Sequence, residues 1–317
     1  MRWGVVSTIK ADVEDILRFA AYHLDLGAAH IRIYLDERND DAQAALSAHP
    51  RVSVIRTDQA YWQGLRGKRP AKHQVRQGAN MGHAYASLQG LDWLCHIDVD
   101  EFLAPETTVD DALSALPGDR WVARMRPAEA LAPDPAAPPA PGETLFKGYV
   151  PPNGKRLDTV QALYPTFGTY VKGGFLSHVA GKYFVRTGLT DCTFRIHNVF
   201  QGDTENPNQC ELPSVTLLHM HMTSWDHWLR HYRYRHDKGS YRAELKSAVP
   251  ETAGGLSLHD LFAMLETEEG EAGLRAFFDE VCVASPGLIA RLDSRGLLVR
   301  HSLHLDEKRA KQFPEIR

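Results

Sequence analysis

The stretch WLCHIDVDEFL, Trp93 to Leu103, joins an apolar run to three acids, Asp98, Asp100 and Glu101. Apolar residues that give way abruptly to charge read as a buried strand ending at the rim of a sheet. Side chains alternate along a strand, so Asp98 and Asp100 are expected on one side with Val99 turned away into packing. Two carboxylates brought together repel unless a cation lies between them, and oxygen ligands of this kind suit Mg²⁺ or Mn²⁺. A bare D-x-D arises by chance in a chain of 317 residues, and its bland reading is a solvated acidic turn. The apolar run before it, and Trp93 and Phe102 on either side, favour the metal reading.

The pattern upstream places that strand in a fold. RWGVVSTI (2–9) is a short β-branched run, followed by helical spacing at Val13, Ile16, Leu17, Ala20 and Leu24, with Asp12 placed to cap and Gly27 to stop. HIRIYL (30–35) reads as a strand, DDAQAALSA as a short helix and RVSVI (51–55) as a third strand. A loop carrying Trp62, Gly64 and Gly67 leads to a helix from about Pro70 to Leu88, and WLCHI is the fourth strand. Strands separated by helices imply crossover connections, hence an α/β fold whose mostly parallel central sheet is flanked by helices. The first turn, STIKAD, has no glycine-rich phosphate cradle, and Asp12, Glu14 and Asp15 would repel a phosphate at that helix end. A bound diphosphate would have to be neutralised elsewhere, and a cation at Asp98 and Asp100 does that.

Beyond Glu101 the pattern loosens. Residues 107–116 read as a helix and WVARMR (121–126) as a strand. PAEALAPDPAAPPAPG (127–142) holds six prolines and six alanines, and is expected to be an exposed loop rather than a strand or helix. Short strands follow in LFKGYV, GKYFVRTG and SVTLLHMHM, and helices from Ser224 onward. The expected division is a domain over 1–245, with a ligand-binding half 1–105 and a second half 106–245, and a C-terminal helical extension over 246–317.

Composition excludes several classes. A net charge of -4 argues against nucleic acid as a partner. The four cysteines, Cys95, Cys192, Cys210 and Cys282, lack the close spacing of a zinc site or redox dithiol, which suits a reducing compartment. No apolar run approaches 18 residues and the first residues lack a signal-peptide pattern, so a cytoplasmic location is expected.

Three segments together, Ile16 to Tyr34, KHQVRQGAN (72–80) and Trp93 to Leu103, resemble the family-2-like bacterial glycosyltransferases of GT-A fold. A weaker echo runs through GKYFVRTG (181–188), HNVF (197–200) and LLHMHMTSWDHWLRHYRYR (217–235). The resemblance implies transfer of a sugar from a nucleotide-sugar donor, usually a UDP-sugar, with Mn²⁺ or Mg²⁺ bridging Asp98, Asp100 and the diphosphate. It implies that Ser7 and Thr8 face the nucleotide, that Asp36 contacts the base, and that Lys72 or His73 approaches the donor. His221 is the histidine it favours as a further metal ligand, with His219 and His197 as other candidates. The chain departs from the family in two places: Ala11 and Asp12 stand where an Asn-Glu pair is common, and the acids after the second strand read DERND.

If transfer inverts the anomeric centre, a carboxylate must take the acceptor's proton, and Asp191 is the candidate, with Asp203 and Glu205 nearby. Arg230, Arg233 and Arg235 in HWLRHYRYRHDKGSYR read as an exposed helix face, or as contacts for an anionic acceptor at a membrane surface. The acceptor class is a glycan or lipid-linked molecule. Two other readings compete. A nucleotidyltransferase would carry a basic, glycine-rich loop where STIKAD stands, and a non-catalytic nucleotide- or glycan-binding protein need not keep Asp98, Asp100 and a downstream histidine together.

Overall fold

The computed structural model describes residues 1–237, 241, 247–249 and 255–314. These fall into two compact units, neither contiguous in sequence: Met1–Arg126 with Ala180–Leu217 and His304–Arg317, and Pro127–Val179 with Leu218–Leu303. The expected division at residue 245 is not among these boundaries. Hydrophobic patterning identifies elements but not the order in which the chain assigns them to cores.

The first unit opens as the alternation requires: β1 (Trp3–Ile9), α1 (Val13–Asp25), β2 (His30–Leu35), α2 (Asp40–Ser47), β3 (Val52–Arg56), α3 (Gln59–Arg66), α4 (His73–Ser87) and β4 (Trp93–His96). Here α3 stands where a loop was expected. Asp58 caps it, its side chain accepting from Tyr61 N, and Gly67 ends it at φ 74. Then come β5 (Glu101–Pro105), α5 (Val109–Ser114) and β6 (Val122–Met125). The chain enters the second unit with β7 (Pro127–Ala130), β8 (Glu143–Lys147) and α6 (Arg156–Leu163). It returns to the first with β9 (Lys182–Arg186), β10 (Cys192–Phe194), β11 (Val199–Gln201), β12 (Thr204–Glu205) and β13 (Gln209–Glu211). The unit boundary falls inside β14 (Val215–His219). The second unit then takes α7 (Trp225–Asp237), α8 (Leu258–Glu268), α9 (Glu271–Val281), α10 (Pro286–Asp293) and β15 (Leu298–Ser302), and α11 (Leu305–Gln312) belongs to the first.

In the first unit a seven-stranded sheet runs β13-β6-β9-β4-β1-β2-β3. β1 is parallel to β2 and β4, and β2 to β3, whereas β9 is antiparallel to both β4 and β6. Alternation sorts its side chains. Val5, Ile9, Ile31 and Ile33 pack with Ile16, Leu17 and Ala20 of α1, while Val6, Tyr34 and Leu94 pack with Met81 and Ala84 of α4. α11 is tied to α1 by Arg18 to Asp306 at 2.7 Å and by Arg309 to Glu14 at 2.8 Å.

In the second unit β7 and β15 flank β8, both antiparallel to it. The strand β7 corrects the expectation of a loop over 127–142. Proline is tolerated at the first position of a strand, and Ala128, Glu129 and Ala130 behind it are all buried. Trp228 and Tyr232 of α7 pack with Phe262, Phe277 and Phe278 in this unit's core, whereas Tyr234, between Arg233 and Arg235, is exposed. Among the described residues no helix is long and apolar enough to cross a membrane.

Candidate active site

From β1 the chain runs through β2 to β3 on one side, and only then crosses to β4 on the other. The gap between the carboxyl ends of β1 and β4 is therefore where strand order reverses, and open α/β sheets bind ligands at that point. Ser7 and Thr8 close β1 there, both buried. Ser7 Oγ donates to Ile97 O at 2.7 Å, tying the two strand ends together. Thr8 Oγ1 accepts from Asn80 Nδ2 at 3.0 Å, and Asn80 Oδ1 accepts from the Tyr61 hydroxyl at 2.7 Å. The two residues expected to face a nucleotide thus brace the rim.

β4 ends at His96, so the acids do not alternate on a strand as expected: they sit in a turn. Glu101 N donates to Asp98 O at 3.0 Å and Asp98 N donates to Glu101 Oε2 at 2.8 Å, closing residues 98–101 on themselves. Because β9 runs against β4, its first residue arrives at the same edge, and that residue is Lys182. The fully buried ammonium lies 2.7 Å from Asp98 Oδ2 and 3.3 Å from Glu101 Oε2. Gln77 Nε2 donates to the other Asp98 oxygen. Burial alone would raise the Asp98 carboxyl, but the Lys182 ammonium outweighs it and holds Asp98 well below the usual carboxylate range. Burial likewise would lower Lys182, and its two carboxylates raise it instead. Burial pushes the His96 imidazole down to about 4, and the Lys182 charge acts in the same direction, so His96 is neutral near pH 7.

A second polar centre lies at the end of β2. Asp36 is 3% exposed and receives Arg76 at 2.8 Å, Arg69 at 3.0 Å and His73 at 3.3 Å. Burial would raise this carboxyl too, yet the bonds from His73, Arg76 and Arg69 hold it far below its ordinary value. Asp36 is expected from the resemblance to read a base. Here both its oxygens are engaged, and it anchors the basic segment RGKRPAKHQVR (66–76) at the end of β2. Arg69 and His73 keep about half and two-fifths of their side chains exposed, at 50% and 39%, and Lys72 is exposed at the start of α4.

No family model matches the chain, and no curated protein matches it by sequence. Among solved structures it is similar to HddC from Yersinia pseudotuberculosis, at 12% identity over 74% of this chain and 100% of that one, with a TM-score of 0.36. It is also similar to the galactosyltransferase LgtC crystallised with donor and acceptor sugar analogues, at 13% identity over 38% of this chain and 46% of that one, TM-score 0.25. A third is the glycosyltransferase GlyE of Streptococcus pneumoniae TIGR4, at 15% identity over 39% of this chain and 30% of that one, TM-score 0.26. The chain spans less than half the length of LgtC and of GlyE.

Other expected site residues lie elsewhere. Asp191 is not at the rim. It follows β9, which carries the chain to the amino end of β4, and it lines a cavity of about 480 Å³ there with Gly90, Leu91 and Thr187. Its own conformation, at φ 56 with its carbonyl accepting from Gly202 N, is that of a turn residue. The structure therefore does not bring Asp191, the expected catalytic base, to the acid turn. His197 donates from Nδ1 to Gly181 O at 2.8 Å, beside Lys182. In the second unit His178, His219 and His221 form a cluster of imidazoles, with ring centroids 5.5 Å apart for the first pair and 4.9 Å for the second.

Sequence reasoning missed Gln77 and His96, and missed the place of Lys182 at the acid turn. The three were in view, in GKYF, KHQVRQ and LCHI, but nothing local says that an antiparallel strand will return a lysine to the DxD turn.

Proposed function

We propose that the chain is a metal-dependent glycosyltransferase that moves a sugar from a nucleotide-sugar donor, read as a UDP-sugar, to a glycan, lipid-linked or other acceptor. One observation carries the reading. At the switch point Asp98 and Glu101 flank the Lys182 ammonium, with Asp100 close enough to raise the Asp98 carboxyl, in the same unit as the basic segment around Asp36. Such a rim suits a divalent cation on one side and a pyrophosphate on the other.

The acids divide the work. Asp98 gives its oxygens to Lys182 and Gln77, and an ammonium at 2.7 Å opposes a dication at the same carboxylate. Asp100, partly exposed in the turn, is the carboxylate suited to a metal, and His221 is kept as the imidazole ligand on the sequence pattern alone. Bound there, Mn²⁺ or Mg²⁺ would counter the charge that grows on the diphosphate leaving group. Asp98, Lys182 and Glu101 hold the turn in shape, while Arg69, Lys72 and His73 present positive charge or donors to an anionic donor substrate.

Calorimetric titration with UDP and a panel of UDP-sugars, with and without Mn²⁺, tests the proposal. Wild type is expected to bind only with the metal present, and Asp100→Ala to lose that metal-dependent binding while keeping its far-UV circular dichroism. Unaltered Mn²⁺-dependent binding by Asp100→Ala refutes the assignment.

A further inference from the structure

Two side chains at this rim have polar atoms that the fold leaves unused. Gln77 is 2% exposed, and with Nε2 committed to Asp98 its Oε1 has no hydrogen-bond partner among the described residues. His96 is 6% exposed, and neither ring nitrogen has a partner among the described residues. Buried polar groups are rarely left in that state, and those that are call for an explanation.

Their placement supplies one. Along β4, His96 falls on the same face as Leu94, two residues earlier, and Leu94 packs with Met81 and Ala84 of α4. Gln77 lies one helical turn before Met81, on the same face of α4. The two therefore form the next layer above the Leu94 and Met81 contact, where the apolar packing between α4 and the sheet gives out at the carboxyl edge. The pair Lys182 and Asp98 fixes the Gln77 amide, since only its nitrogen can face the carboxylate, and so Oε1 is presented in a set direction.

We propose that Gln77 and His96 are a hydroxyl-recognising pair for the carbohydrate part of the donor, either its ribose or the sugar to be transferred. This rests on the transferase reading above. The imidazole offers ring nitrogens that can give or receive, and the amide oxygen offers an acceptor beside them. Groups that can both give and receive match hydroxyls, which do the same. They do not match a phosphate, which needs donors only. Recognition by groups otherwise unpaired is also discriminating, because a ligand lacking the hydroxyl leaves them stranded.

The test compares wild type, Gln77→Met and His96→Phe, each shape-conserving and each checked for fold by circular dichroism. They are titrated in Mn²⁺ with UDP, 2′,3′-dideoxy-UDP, UDP-glucose and UDP-galactose. If the pair reads ribose, wild type prefers UDP to its dideoxy analogue by about tenfold or more and both variants lose the preference. If it reads the transferred sugar, wild type binds one UDP-hexose better than UDP and the variants lose that gain. Variants that keep every preference of wild type to within twofold overturn the pair and leave the transferase reading standing. A wild type that binds none of the four overturns both.

Discussion

Lys147 and Lys182 are equally buried, each against carboxylate, yet they sit in opposite kinds of surroundings. In the second unit Lys147 faces Glu129 across the β7 and β8 ladder at 2.9 Å. Glu129 also accepts from Leu176 N at 3.1 Å and Ser177 N at 2.7 Å, and Lys147 donates to Val281 O at 3.0 Å with the Tyr164 ring 5.4 Å away. One charge meets one charge, and the pair pins the backbone just before His178. In the first unit Lys182 meets Asp98 and Glu101, with Asp98 keeping 27% of its side chain exposed and Asp100 close enough to raise its carboxyl. A buried ion pair is thus no mark of a site in itself. What distinguishes the two is that Asp98 keeps part of its side chain in solvent and that polar atoms of Gln77 and His96 near it are unspent.

Breaking the sealed pair should cost most. Lys147→Met strands Glu129 in the core and is expected to lower the unfolding free energy by about 4 kcal/mol, read by urea denaturation, with no recovery in Mn²⁺. A loss below about 1 kcal/mol would mean that the pair carries no structural role.

Acid comes next. Burial lowers both His23 and His96 to about 4, from an ordinary value of 6.5. Their lowered values mean that the unfolded chain takes up protons first, so stability is intact above about pH 6.5 and falls between there and pH 4, by up to about 3 kcal/mol per histidine. The depressed carboxyls of Asp36, Asp98 and Glu129 act in a lower window, their contribution fading only as pH drops below the ordinary carboxylate range. The two histidines also differ as the two lysines do. His23 donates from Nδ1 to Phe19 O at 2.8 Å and accepts from Leu103 N at 3.4 Å, whereas the nitrogens of His96 are unspent. Denaturation series at pH 7, 5.5 and 4.5 should show a shallower decline for His96→Phe than for wild type. Identical slopes would place the acid sensitivity elsewhere.

Lys182→Met is expected to cost less than its counterpart, about 2 kcal/mol, because Asp98 keeps part of its side chain in solvent. Millimolar Mn²⁺ should restore part of that loss, since the freed carboxylates accept a cation from the open side. Failure of the metal to raise the melting temperature would erase the contrast between the two lysines. The smallest effect belongs to Arg69→Ala, about 1 kcal/mol or less, since Arg69 is half exposed and Asp36 keeps Arg76 and His73. A thermal melt shifted by more than a few degrees would show that Arg69 holds the whole basic segment in place.

Much of the first unit was legible in the sequence. The runs at 2–9, 30–35, 51–55 and 93–97 are the parallel strands to within a residue or two, and α1, α2 and α4 lie where the apolar spacing puts them. These readings succeed because local periodicity is set by which face of an element is buried, and that is written within ten or so residues. Asp98, Asp100 and Glu101 were legible as a cluster at a strand's end for the same reason. What tertiary structure alone decided is pairing at long range. The antiparallel direction of β9 brings Lys182 to Asp98 and carries Asp191 to the far edge, and the return of α11 to α1 and the burial of β7 depend on partners far away in the chain. Backbone hydrogen bonding is indifferent to sequence, so strand direction follows from the packing of the whole unit, and with it which acid becomes a lysine's counter-ion.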